Sequence, residues 1–160
     1  MTDCILCRGP EGDDELGRVQ VWEDPLWRLT TVRDGEVPGF SYLEPKRHIP
    51  HLADLDGEES RTFGGVLACA CRALRDAASA EVVYVYVFGG GIPHLHLHLA
   101  PHRSGEALSS SMIRGATTET HLPSGATIIS SRDFPPLPRS EHDAIRDRIA
   151  QLLREDPEPH

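Results

Sequence analysis

A chain of 160 residues that is 39% hydrophobic and 26% charged has the length and composition of one domain with a packed core. It has no stretch approaching the roughly 20 apolar residues of a membrane span. The net charge of −9 argues against nucleic acid or anionic membranes as partners, so a phosphate site must be local.

The opening Met1-Thr2-Asp3-Cys4 lacks the basic-then-apolar pattern of a secretory signal, so a cytoplasmic protein is expected. After Cys4-Ile5-Leu6-Cys7, the Gly- and acid-rich stretch Arg8 to Gly17 reads as a loop. Strands are expected over Arg18 to Glu23 and Leu26 to Val32, with a turn at Asp24-Pro25, and a third short strand over Phe40 to Glu44. From Asp56, an N-cap followed by Glu58 and Glu59, the positions Phe63, Val66, Leu67, Ala70 and Leu74 recur at helical spacing and predict the one long core helix. Val82 to Phe88 is an unbroken run of valines and aromatics, expected as a strand covered on both faces or buried at a dimer interface. Gly89-Gly90-Gly91 ends it, and His94 to Ala100 returns as its antiparallel hairpin partner. From Pro101 to Arg139 the chain reads as loop-rich, with a strand-like patch at Ala126 to Ser130. Ser140 to Arg154 predicts a closing helix with Ile145, Ile149, Leu152 and Leu153 on one side, before a frayed tail. This outlines a catalytic core over residues 1–103 and an extension over 104–160 belonging to the same domain.

Along a strand, alternate side chains share a face, so His94, His96 and His98 fall on one side and Leu95, Leu97 and Leu99 on the other. Histidines at this period stand roughly 6.5–7 Å apart, a spacing that can surround one phosphate or one metal. Neutral imidazole is available near pH 7 to attack phosphorus, and its adduct is reactive enough to pass the group onward. The backbone N–H groups of Gly89, Gly90 and Gly91 can approach an anion closely, although tight turns alone also call for glycine.

The two-residue spacing of Cys4 and Cys7 lets both thiolates reach one tetrahedral zinc; a disulfide or redox pair is the rival. His48, His51 and the triad are candidates for the other ligands. Cys69 and Cys71, two apart on a helix, point about 200° away from each other, cannot share a metal and are expected to be buried or inert thiols. Trp22 and Trp27 are each able to stack on a base, with a place in the core as the commoner fate of a strand tryptophan.

His94-Leu95-His96-Leu97-His98-Leu99-Ala100, with Pro45-Lys46-Arg47-His48 upstream and Cys4-x-x-Cys7 at the start, resembles the histidine triad (HIT) family in its zinc-containing branch, over about residues 1–103. The resemblance implies an α+β fold with a five-stranded antiparallel sheet, one long core helix and a homodimeric state. It implies action on a nucleoside phosphate as a nucleotidyl hydrolase or transferase, with His96 as the covalent nucleophile and His98 hydrogen-bonding the phosphate. It also implies a structural zinc on Cys4, Cys7, His48 and His94, and a His94 carbonyl free to orient His96. Where members commonly carry Gly-Gln-Ser/Thr before the triad, this chain has Gly89-Gly90-Gly91-Ile92-Pro93; it is apolar around Val83 where an Asn is usual, and Asp34 is displaced from the ribose-binding position. A HIT-fold enzyme acting on a non-nucleotide substrate, or a non-catalytic nucleotide- or metal-binding module, are the alternatives.

Overall fold

A computed structural model describes residues 4–34, 37–104 and 115–133, with isolated positions between 138 and 150. Backbone contacts divide the chain into two compact units, Met1–Leu108 and Ser109–His160.

In the first unit a 3-10 turn (Ile5–Arg8) and a short helix α1 (Pro10–Glu15) lead into strands β1 (Arg18–Glu23), β2 (Trp27–Val32) and β3 (Ser41–Pro45). The long helix α2 (Gly57–Ala77), β4 (Val82–Tyr86) and β5 (Leu97–His102) follow. The five strands form one antiparallel sheet in the order β1-β2-β3-β5-β4. Asp24 makes the first hairpin, its carboxylate accepting the backbone N–H groups of Leu26 and Trp27 at 2.7 and 2.6 Å.

One face of the sheet packs on α2. Trp27, Leu29, Leu43, Leu95, Leu97 and Leu99 are buried against Ala70 and Leu74 of the helix, and the Trp27 indole N–H donates to Thr62 Oγ1 at 2.9 Å. Trp27 is therefore core, whereas Trp22 is exposed beside an apolar cavity of about 560 Å³ between β1–β2 and α2. Asp56 stands at the helix N-cap as the sequence predicts, but its side chain pairs with Arg47 instead of capping.

Three expectations need correction. The stretch from Arg8 to Gly17 is not a loop: Pro10 starts α1, Glu11 and Asp13 occupy its first turn, and Asp13 is buried as an ion-pair partner. A Cβ on Gly12 would run into the Ile5 carbonyl, so the glycine read as a loop residue is there for close packing. The Val82–Phe88 run is not covered on both faces of this chain: β4 is an edge strand, with Tyr84 45% and Phe88 62% exposed. Finally, the connection from β4 to β5 is longer than a tight hairpin. Pairing with β4 starts at His98, and the Leu95 N–H bonds the Ile49 carbonyl at 2.6 Å, so His94 and His96 precede the regular strand.

The second unit contains an antiparallel hairpin of β6 (Thr117–His121) and β7 (Thr127–Ser131). The predicted patch at Ala126 to Ser130 is β7; its partner β6, built from Thr, Glu and His, carries no apolar alternation. Most of the helix predicted over Ser140 to Arg154, and the tail after it, lies outside the described residues, although the described positions 139–140, 143–144, 146–147 and 150 are helical. No described helix is long and apolar enough to cross a membrane.

Candidate active site and metal centre

Cys4 immediately precedes the first 3-10 turn and Cys7 lies within it, His48 follows β3, and His94 lies three residues before β5. Folding brings all four together, with one donor atom from each within 4.8 Å of every other. Cys4 Sγ and Cys7 Sγ stand 3.5 and 3.4 Å from His94 Nδ1, and Cys7 Sγ stands 3.5 Å from His48 Nδ1. Tetrahedral zinc bonded at about 2.3 Å to sulfur and 2.0 Å to nitrogen has S···N edges of about 3.5 Å, so the donor set fits that ion in chemistry and spacing. The tautomer fits as well. His94 Nε2 donates to the Pro45 carbonyl at 2.8 Å, which leaves Nδ1 as the lone-pair nitrogen facing the thiols. Burial holds this imidazole below its ordinary pKa and hence in the neutral, ligating form. His51 is outside the cluster, exposed, with its Nδ1 near Gly89. Cys69 is exposed, while Cys71 packs against the core and its thiol is pushed up by burial.

The other two triad histidines turn to the sheet face opposite α2. Their rings are 5.1 Å apart, closer than strand period alone suggests. The His96 Nδ1 lies 2.6 Å from the His94 carbonyl oxygen. A carbonyl only accepts, so this Nδ1 carries the proton and the lone pair is on Nε2. The same logic applies to His98, whose Nδ1–H donates to the Tyr86 carbonyl at 3.3 Å. Tyr86 stacks on the His98 ring, and Phe40, Tyr42 and Phe88 meet it edge-on. Desolvation in this aromatic setting, followed by the nearby His96, lowers the His98 pKa. Neutral His98 thus presents a lone pair at Nε2.

His96 and His98 line a cavity of about 130 Å³ together with Leu6 and Leu16 of the N-terminal segment, Arg18 of β1, Tyr42 of β3, and Ile92. Arg18 belongs to a buried charge cluster beneath this face. Its Nη atoms bond both Glu44 oxygens at 3.1 and 3.0 Å, and its Nε bonds Asp13 at 2.9 Å. Arg28 pairs with the same two carboxylates, so two cations meet two anions out of water. The glycine run Gly89–Gly91 precedes Ile92 but does not itself line the cavity; Gly89 takes the left-handed φ of 67° that its turn requires. Asp34 is exposed after β2, away from the cavity walls.

Sequence reasoning did not single out Arg18, Glu44 or Tyr42. The available signal was an alternation in β3, where Tyr42 and Glu44 flank Leu43 and so share the face of the histidines.

A family model described as HIT domain matches residues 14–105, more than half of the chain. Among solved structures, the chain shares its fold with SMU.412c from Streptococcus mutans UA159, at 17% identity and a TM-score of 0.64 over 99% of this chain and 87% of that one. It is similar to a Zn-bound histidine triad family protein from Mycobacterium smegmatis (25% identity, TM-score 0.56, 67% and 80% covered). A HIT family hydrolase from Legionella pneumophila Philadelphia 1 also shares the fold (24% identity, TM-score 0.51, 66% and 98% covered). No curated protein matches in sequence. The matched span runs from α1 through β5 and so takes in the whole sheet, its helix and the histidine segment: the chain belongs to the HIT family.

Proposed function

We propose that the protein is a nucleotidyl hydrolase or transferase that acts at the α-phosphate of a nucleoside phosphate derivative through a covalent intermediate on His96. One observation carries the reading: the His94 carbonyl holds the proton of His96 on Nδ1, leaving the Nε2 lone pair of a ring that lines the cavity. In the first step Nε2 attacks phosphorus, and the bond to the leaving group breaks with its electron pair departing on that group. The positive charge on the modified ring is steadied by the Nδ1–H bond to the carbonyl. In the second step water, or another acceptor hydroxyl, attacks phosphorus and the P–N bond returns its pair to the ring. The acceptor's proton passes to solvent by way of the free Nε2 of His98.

We assign one structural zinc to Cys4, Cys7, His48 and His94. When bound, it ties the N-terminal turn to His94 and thereby fixes the carbonyl that orients His96. The names of the relatives, a Zn-bound family protein and a HIT family hydrolase, support both parts of the reading. The exposed apolar edge strand β4 supports a homodimer built on that edge.

A second reading, the same fold working on a non-nucleotide substrate, is favoured by the segment from Gly89 to Pro93, which offers no side-chain donor ahead of the triad. A screen of nucleoside phosphoramidates, dinucleoside polyphosphates and nucleotide sugars decides between them. Turnover of one class by the wild type, abolished in His96→Ala and accompanied by an acid-labile nucleotidyl adduct, is expected. Undiminished turnover by His96→Ala would sink the covalent mechanism, and no turnover of any class would favour the second reading.

A further inference from the structure

As His96 Nε2 approaches phosphorus, charge builds on the non-bridging oxygens, and these need hydrogen-bond donors. The cavity walls provide few. Leu6, Leu16 and Ile92 have no polar side-chain atom. His96 and His98 each direct their Nδ1–H to a backbone carbonyl. The Arg18 guanidinium is 2% exposed and bound on three nitrogens by Glu44 and Asp13, so its charge is already matched.

The remaining donor is the phenol of Tyr42. This residue stands directly across from His98 in the β3–β5 register. Its ring is 5.1 Å from that of His98 and 6.3 Å from that of His96. Phe40 packs against it at 5.3 Å and the Arg18 guanidinium sits 5.5 Å from its centroid, so the ring is held on both sides. Its hydroxyl has no hydrogen-bond partner among the described residues. Burial keeps that hydroxyl protonated throughout the neutral range.

We propose that Tyr42 binds substrate, donating its hydroxyl proton in a hydrogen bond to a non-bridging oxygen of the α-phosphate of a nucleoside phosphate. The proposal rests on the reading of His96 as the nucleophile, since it is the approach of Nε2 that sets where the phosphate sits. It also supplies, from β3, a donor that the glycine-rich approach to the triad lacks.

Tyr42→Phe tests it, because the ring and its packing stay and only the hydroxyl goes. Two readouts are taken on the full chain: AMP affinity by titration calorimetry, and kcat/KM on adenosine phosphoramidate with the nucleotidyl adduct on His96 monitored. A hydrogen bond to a charged oxygen predicts a loss of about tenfold to a hundredfold in both, with an unchanged melting temperature. Affinity and turnover within twofold of wild type would overturn the role of Tyr42 while leaving His96 as nucleophile. If the wild type forms no adduct yet binds AMP at least tenfold more tightly than Tyr42→Phe, the phosphate contact stands and nucleotidyl transfer falls. Failure of the wild type to bind AMP would overturn the contact itself.

Discussion

Tyr86 lies face to face with His98, their ring centroids 4.8 Å apart and their planes within 9°, while its own carbonyl accepts the His98 Nδ1–H. One residue therefore both shields the imidazole from water and fixes its tautomer. The shielding has a thermodynamic sign. In the unfolded chain His98 takes up a proton near the ordinary value of about 6.5, whereas in the folded protein burial delays protonation to lower pH. Between those two values the unfolded state binds more protons, so stability falls as pH falls and is unaffected by this group above about pH 7.

The urea midpoint of the wild type is accordingly expected to drop between pH 7 and pH 5.5 by more than that of His98→Asn. Parallel pH profiles for the two proteins would show that His98 titrates as freely folded as unfolded.

The charge cluster under the site gives a second expectation. Glu44 is fully buried and bound by both Arg18 and Arg28. Glu44→Gln leaves two buried guanidinium groups sharing the single carboxylate of Asp13. Breaking a buried pair in this way costs about 3–5 kcal/mol, measurable as a shift in the denaturant midpoint with an unchanged slope. Lys46 and Glu23 form a solvent-exposed pair, and Glu23→Gln is the control expected to move nothing measurable.

The contrast between these two ion pairs explains what could be read from the sequence and what could not. The period-2 pattern of Leu95, Leu97 and Leu99 assigns the core face of the histidine segment, and the 3.6 period from Phe63 to Leu74 assigns the helix that covers it. Both patterns are local. Asp13 and Glu44 become buried only because β1, β2 and β3 carry Arg18, Arg28 and Glu44 onto one face and α1 closes over them. No spacing within a single segment encodes that, and an acidic stretch such as Glu11 to Glu15 reads as solvent-facing loop. Tyr42 escaped for the same reason, since its significance comes from the strand opposite. The metal ligands were more legible because Cys4-x-x-Cys7 is a local motif, but choosing His48 over His51 took the resemblance to a family.

The edge strand yields a third expectation. Val82, Tyr84 and Val85 of β4, and Phe88 just beyond it, are all exposed, and the outer backbone groups of β4 face no further strand of this chain among the described residues. Pairing of β4 with its copy would cover both. Sedimentation equilibrium at micromolar concentration is expected to report a dimer, and Val82→Asp, which places a charge on the edge at an exposed position paired with His102 and outside the core cluster, is expected to give a folded monomer.

The last expectation concerns how the metal centre is coupled to the nucleophile. His94 contributes through two different groups: its ring faces Cys4 and Cys7, and its carbonyl fixes the proton of His96. Cys7 is the exposed member of the thiol pair, so Cys7→Ser removes one ligand without opening the core around Leu6. Elemental analysis is expected to find stoichiometric zinc in the wild type and little in the variant. At roughly 2–4 °C of melting temperature per kcal/mol for a chain of this size, loss of the tie between the N-terminal turn and His94 should lower the melting point by at least about 5 °C. Because the loosened His94 carbonyl no longer fixes the tautomer of His96, the rate of adduct formation should fall along with the metal content. His51→Ala, three residues after His48 in the chain and outside the cluster, should retain the zinc, the melting temperature and the adduct. A variant of Cys7 that loses its zinc but labels His96 at the wild-type rate would separate the two and confine the metal to holding the N-terminal turn.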